Sequence, residues 1–78
     1  MKPDVVSTWS VEEVVEERDG YWTIRDVATG IFGSGADQLS ATEDFERALR
    51  EHLEILRCQE VLSPDLSAQL EYLRRRLA

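Results

Sequence analysis

Histidine and cysteine are almost missing from this chain: its 78 residues hold one of each, His52 and Cys58. A lone thiol forms no intramolecular disulfide, and there is neither a cysteine cluster nor a histidine pair to hold zinc. Proline occurs twice and glycine four times, too few for a low-complexity linker. No apolar run approaches the roughly 18 residues that a bilayer requires. The opening Met1-Lys2-Pro3-Asp4 leads into no apolar signal segment, so a cytoplasmic, reducing location is expected. Basic side chains are also scarce, nine against sixteen acidic, for a formal net charge of −7. Such a surface repels a phosphate backbone. No direct nucleic-acid binding and no membrane span are therefore expected, and a basic protein is the better-matched partner.

What is present suits a folded domain. The chain is 42% apolar and 32% charged, and its length sets a single domain over residues 1–78. A core this small often leans on oligomerisation, so a homodimer is expected.

Residues 8–35 read as a β meander. Asp19-Gly20 stands between two β-rich runs, and Asp-Gly suits a two-residue hairpin loop because both central positions need positive φ. That loop sets the register: Trp22 faces Glu17, Ile24 faces Val15, and Asp26 faces Glu13. Val11, Val15, Trp22 and Ile24 are then expected on the core face. A rival reading makes residues 9–17 a short helix, with Ser10 and Glu13 as a capping box and Val11, Val14 and Val15 as its stripe. The valines and the hairpin turn favour strand. After Asp26 the chain turns at Ala28-Thr29-Gly30 and returns through Ile31 and Phe32.

The glycines in "GIFGSG", Gly30 to Gly35, raise the question of a phosphate loop. That motif needs a strand, glycines at a set spacing, and a helix whose first amides meet the phosphate. Here the spacing is wrong, no Gly-Lys-Ser/Thr follows, and no βαβ unit fits. Gly33 and Gly35 are expected to serve a bulge or a sharp exit from the third strand.

The second half is helical. Ser40 with Glu43 matches a capping box, Thr42 is an alternative cap, and a helix over 40–62 is expected. Phe45, Ala48, Leu49, His52, Leu53 and Leu56 form its apolar stripe. Glu43–Arg47, Glu46–Arg50 and Arg50–Glu54 fall at i, i+4 on the other face. Ser63-Pro64-Asp65 starts a second helix over 64–77 with a cap, a proline in the first turn and an acid beside it. Leu66, Leu70, Leu73 and Leu77 make its stripe, read as core or as a dimer interface across to a second protomer. The predicted fold class is α+β, β-β-β-α-α, a three-stranded antiparallel sheet with helices packed on one face.

No arrangement of residues calls for catalysis. Glu13 and Asp26, facing each other beside Glu12 and Glu16, could hold magnesium for phosphoryl transfer, but the same acids suit the solvated edge of a strand. His52 lies in an apolar stripe, as a hydrogen-bonded, partly buried histidine or one at a dimer interface would. Arg74, Arg75 and Arg76 complement the end of a helix dipole without any ligand. No cofactor, metal or catalytic residue is expected.

Three stretches, "VVEERDGYWTI", "DVATGIFGSGAD" and "EDFERALREHLEIL", together about Val14 to Leu56, carry a resemblance. Their order and spacing resemble the N-terminal domain of HicB-type antitoxins. The resemblance implies a partly degraded RNase H-like fold without nuclease activity; as nothing after Leu62 is long or basic enough for the family's DNA-binding domain, a single-domain member, or a relative with a different partner, is expected. It also implies a small, basic, mRNA-cleaving toxin as the partner that is bound and blocked. The chain departs from the family in having no proline in the turn after Asp26 and in entering a second helix at Pro64. On this reading the partner-binding residues lie in the first hairpin and the turn after it: Glu16, Tyr21, Thr23, Arg25 and Asp26. Alternatives are an orphan dimeric regulator or structural protein and, last, a metal-dependent nuclease.

Overall fold

The computed structural model describes residues 11–78. The described chain runs β1 (Glu13–Arg18), β2 (Tyr21–Asp26), β3 (Phe32–Gly35), α1 (Gln38–Arg57) and α2 (Pro64–Arg76). The strands form one antiparallel sheet in the order β1-β2-β3. This is the β-β-β-α-α, α+β arrangement expected from the sequence. Thr8, Trp9 and Ser10, the start of the expected meander, lie outside the described residues.

The first hairpin has the expected register, with Glu13 opposite Asp26, Val15 opposite Ile24 and Glu17 opposite Trp22. Asp19 and Gly20 both have positive φ, 54° and 79°, so the loop twists with its strands. Strand wins over helix at Glu13–Arg18 because Val14 and Val15 are stiff at χ1 and the tight turn presents a ready partner strand. The second turn is closed by Asp26 N–H donating to the Ile31 carbonyl and Gly30 N–H to the Asp26 carbonyl, each at 2.8 Å.

Gly33 and Gly35 have a different purpose from the bulge or exit expected. Both belong to regular β3 and face α1, two residues apart on one side of the strand. A Cβ on Gly33 would overlap the backbone N and Cα of Phe45, and one on Gly35 would lie 2.7 Å from Ala41 N. The glycines let the helix backbone press directly on the strand.

α1 begins two residues before the expected position, and Asp37 rather than Ser40 or Thr42 is its cap. The Ser40 N–H donates to Asp37 Oδ1 at 2.7 Å. Asp37 follows β3 almost at once, so the cap forms at the first good acceptor after the strand. The helix ends at Arg57 instead of running to 62; the chain then brings Leu62 back onto the core. α2 starts as expected, with Ser63 Oγ accepting from Leu66 N–H at 3.2 Å and Pro64 in the first turn.

The core consists of Ile24, Ala41, Phe45, Leu49, Leu56, Tyr72 and Leu73. Val11 and Val15 are not part of it, contrary to the core face expected for them. They are 57% and 44% exposed because α1 packs over β3 and β2, leaving β1 beyond the helix. Nor do the expected i, i+4 ion pairs form on α1: Arg47 pairs with Asp44 and Arg57 with Glu54, both at i, i+3. The Asp44 carboxylate already lies toward β3, where it accepts from Ser34 N–H at 2.9 Å. Arg47 meets it there, and the Ser34 backbone N–H first, then the Arg47 guanidinium, hold the Asp44 carboxyl below its ordinary range.

Candidate binding face of the sheet

Side chains alternate along a strand, so the helices cover one parity of the sheet and, among the described residues, leave the other bare. The covered side holds Ile24 and Asp26. On the bare side, Glu16 lies opposite Thr23, and Thr23 opposite Ser34; Val14 lies opposite Arg25, and Arg25 opposite Phe32; Arg18 lies opposite Tyr21. Four of the five residues picked out in the sequence, Glu16, Tyr21, Thr23 and Arg25, thus share one surface.

Tyr21 and Phe32 are 55% and 60% exposed on it. The Tyr21 hydroxyl donates to Ser34 Oγ at 3.1 Å, linking β2 to β3 on this face. Near the hairpin end, Glu16, Glu17, Arg18, Asp19, Tyr21 and Thr23 line an open concavity of about 610 Å³. The face is amphipathic: two exposed aromatic rings on β2 and β3, Arg25 between Val14 and Phe32, and Glu16 and Arg18 on β1. Aromatic rings lose little entropy when a partner covers them, and aromatic and arginine side chains are both enriched among interface anchors. Phe32 was absent from the sequence-derived set. Its signal was available in the parity of the second turn, which sets it beside Arg25.

Asp26 is the exception and presents no surface to a partner. It is 0% exposed, on the helix side of the sheet. Tyr72 donates to its Oδ1 at 2.6 Å, while the Thr29 N–H and hydroxyl donate to its Oδ2 at 3.0 and 2.6 Å. Its neighbour Glu13 is bonded to Arg76, whose guanidinium stands 5.5 Å from the centre of the Phe45 ring. The two acids considered for magnesium are therefore engaged with α2 and the second turn. Among the described residues no group of three or more His, Cys, Asp or Glu is gathered to hold a metal. Burial first, then the Asp26 carboxylate beside it, pushes the Tyr72 hydroxyl up to about 12.

The remaining candidates fall within the chain's own packing. His52 Nε2 donates to Gln69 Oε1, tying α1 to α2. Of the leucine stripe on α2, Leu73 is fully buried, Leu70 and Leu77 pack against the same core, and Leu66 alone is exposed. Arg76 is folded inward, whereas Arg74 and Arg75 are exposed on different sides of the last turn. No helix among the described residues is long and apolar enough to cross a membrane. No family model, curated protein or solved structure matches the chain.

Proposed function

We propose that this chain is a HicB-like, antitoxin-type binding module that engages a small basic ribonuclease in the cytoplasm and covers its catalytic surface. It contributes no catalysis of its own. The observation that carries this reading is the bare sheet face, where Tyr21 and Phe32 stand exposed among Glu16, Thr23 and Arg25. A fixed strand surface with aromatic anchors is built to be covered. The net charge of −7 favours encounter with a basic partner and fixes its orientation.

The test passes extract of the native cells over the immobilised chain and over the Tyr21→Ala/Phe32→Ala variant, at low and high salt. A small basic protein retained by the first and lost by the second is expected. That protein should cleave RNA when alone and stop when the chain is added. Retention of nothing, or equal retention on both columns, would defeat the reading.

A dimeric regulator without a toxin is the second reading. Ile55, Val61 and Leu66, all exposed, flank the connection between α1 and α2, an apolar set suited to a second copy. Light scattering of the purified chain separates the two: a dimer disrupted by Leu66→Glu, with no ribonuclease bound, favours the regulator.

A further inference from the structure

The two edges of the sheet are not equivalent. On β3 the outward Ser34 N–H is taken by Asp44 from α1, so the helix occupies part of that edge. Among the described residues no side chain takes an outward amide of β1 in this way.

Its outward groups follow from the hydrogen bonds. Asp26 N–H donates to Ile31 on the β3 side, whereas Val27 N–H donates to the Glu12 carbonyl at 2.9 Å on the β1 side. Backbone groups of successive residues in an antiparallel strand point to alternate sides. Through the register, Val14, Glu16 and Arg18 therefore pair with β2, and Glu13, Val15 and Glu17 direct N–H and C=O away from the sheet. Among the described residues nothing pairs with them.

The side chains along this edge select what can add to it. Glu12, Glu16 and Glu17 stand exposed beside Val14 and Val15, Glu13 is paired with Arg76, and Arg18 ends the strand. A second copy pairing antiparallel about Val15 would set Glu13 against Glu17 and Glu17 against Glu13. Like charges directly opposite destabilise a strand pair. An incoming strand whose lysines or arginines alternate can set them against Glu12 and Glu16 on the uncovered face of the sheet, and its apolar residues then meet the half-exposed Val15 on the other face.

We propose that the outer edge of β1 is a docking site for an extended basic segment of a partner protein, which adds to the sheet as a fourth strand. Main-chain hydrogen bonds to Glu13, Val15 and Glu17 provide affinity, and the glutamates provide selectivity for basic side chains. The proposal rests on the reading above that the partner is basic, and it names a second surface on which that partner is held.

The probe is a short blocked peptide of alternating lysine and valine, followed by amide hydrogen exchange of the full chain. Added peptide should protect the amides of Val15 and Glu17 and leave those of Thr23 and Arg25 unchanged. A peptide N-methylated along one edge should not bind. Val15→Pro removes an outward N–H without touching the bonds to β2, so the fold persists while affinity drops about tenfold. Four results would overturn the proposal: no protection at saturating peptide, unchanged affinity of the methylated peptide, protection that rises with protein concentration alone, or protection already present in the free chain at every concentration. The third would assign the edge to a second copy and the fourth to the chain itself. Peptide shifts confined to Tyr21 and Phe32 would also overturn the edge while leaving the binding reading intact. Edge protection by peptide, with no basic protein retained from extract, would defeat that reading instead.

Discussion

Asp26 and Gly33 show how far single positions can depart from the usual meaning of their residue types. Asp26 is a carboxylate placed among core residues, kept there by three donors from Thr29 and Tyr72. Removing a donor leaves a buried acceptor short of a partner, so Tyr72→Phe should cost about 1 to 3 kcal/mol at neutral pH. The same pair sets an alkaline limit. The Tyr72 hydroxyl titrates near 12 in the fold and near 10 in the unfolded chain. Its contribution is complete below pH ~10 and disappears as pH rises through ~12, for a loss on the order of 2 to 3 kcal/mol. Denaturant unfolding followed across that range should show the fall in the native chain and a shallower one in Tyr72→Phe. Gly33 matters for what it lacks. Gly33→Ala places a methyl group against the Phe45 backbone, which cannot yield as a side-chain end would. A loss of about 3 kcal/mol is expected in thermal unfolding.

At the scale of elements, each boundary is set by the first group that satisfies an unpaired backbone atom. Asp37 does this for α1, and the Ser40 backbone N–H above all holds its carboxyl below the ordinary value. A lowered carboxyl pKa contributes stability above the unfolded value and loses it as pH falls through the folded one. Fraying of the first turn of α1 is thus expected at acid pH in the native chain and at neutral pH in Asp37→Ala. Exchange of the Ser40 and Ala41 amides would show both. The α1 stripe of Phe45, Leu49 and Leu56 was legible because helical period and burial agree. Its ion pairs were not, because Asp44 is also bound to β3 and draws Arg47 to itself.

For the molecule as a whole, helices on one side of a three-stranded sheet leave, among the described residues, one face and the β1 edge uncovered. The Tyr21→Ala/Phe32→Ala variant changes only exposed rings, so its melting temperature should stay within about 4 °C of the native value. Partner affinity should nevertheless fall at least tenfold in calorimetry, since anchors carry most of an interface's energy. With a basic partner, the association rate should fall as salt is raised, while the dissociation rate changes less. A salt-independent association rate would show that charge has no part in the encounter.

The sequence by itself determined the local structure: the Asp19-Gly20 turn and hence the register of β1 on β2, the apolar stripe of α1, and the Ser63 cap of α2. Each depends on residues a few positions apart, where turn chemistry, side-chain period and capping act directly. Parity alone already separated Tyr21, Thr23 and Arg25 from Ile24 and Asp26; what hid the burial of Asp26 was that its partner Tyr72 is 46 residues away. Only the tertiary structure decided where α1 lies across the sheet. The flat track of Gly33 and Gly35 draws the helix onto β3 and away from β1. That placement exposes Val11 and Val15, engages one edge in part through Asp44 and, among the described residues, leaves the other without a paired strand. Side-chain alternation gives each residue a face, but it does not say how far a helix reaches over that face. The reach is set by backbone contact between segments that are distant along the chain.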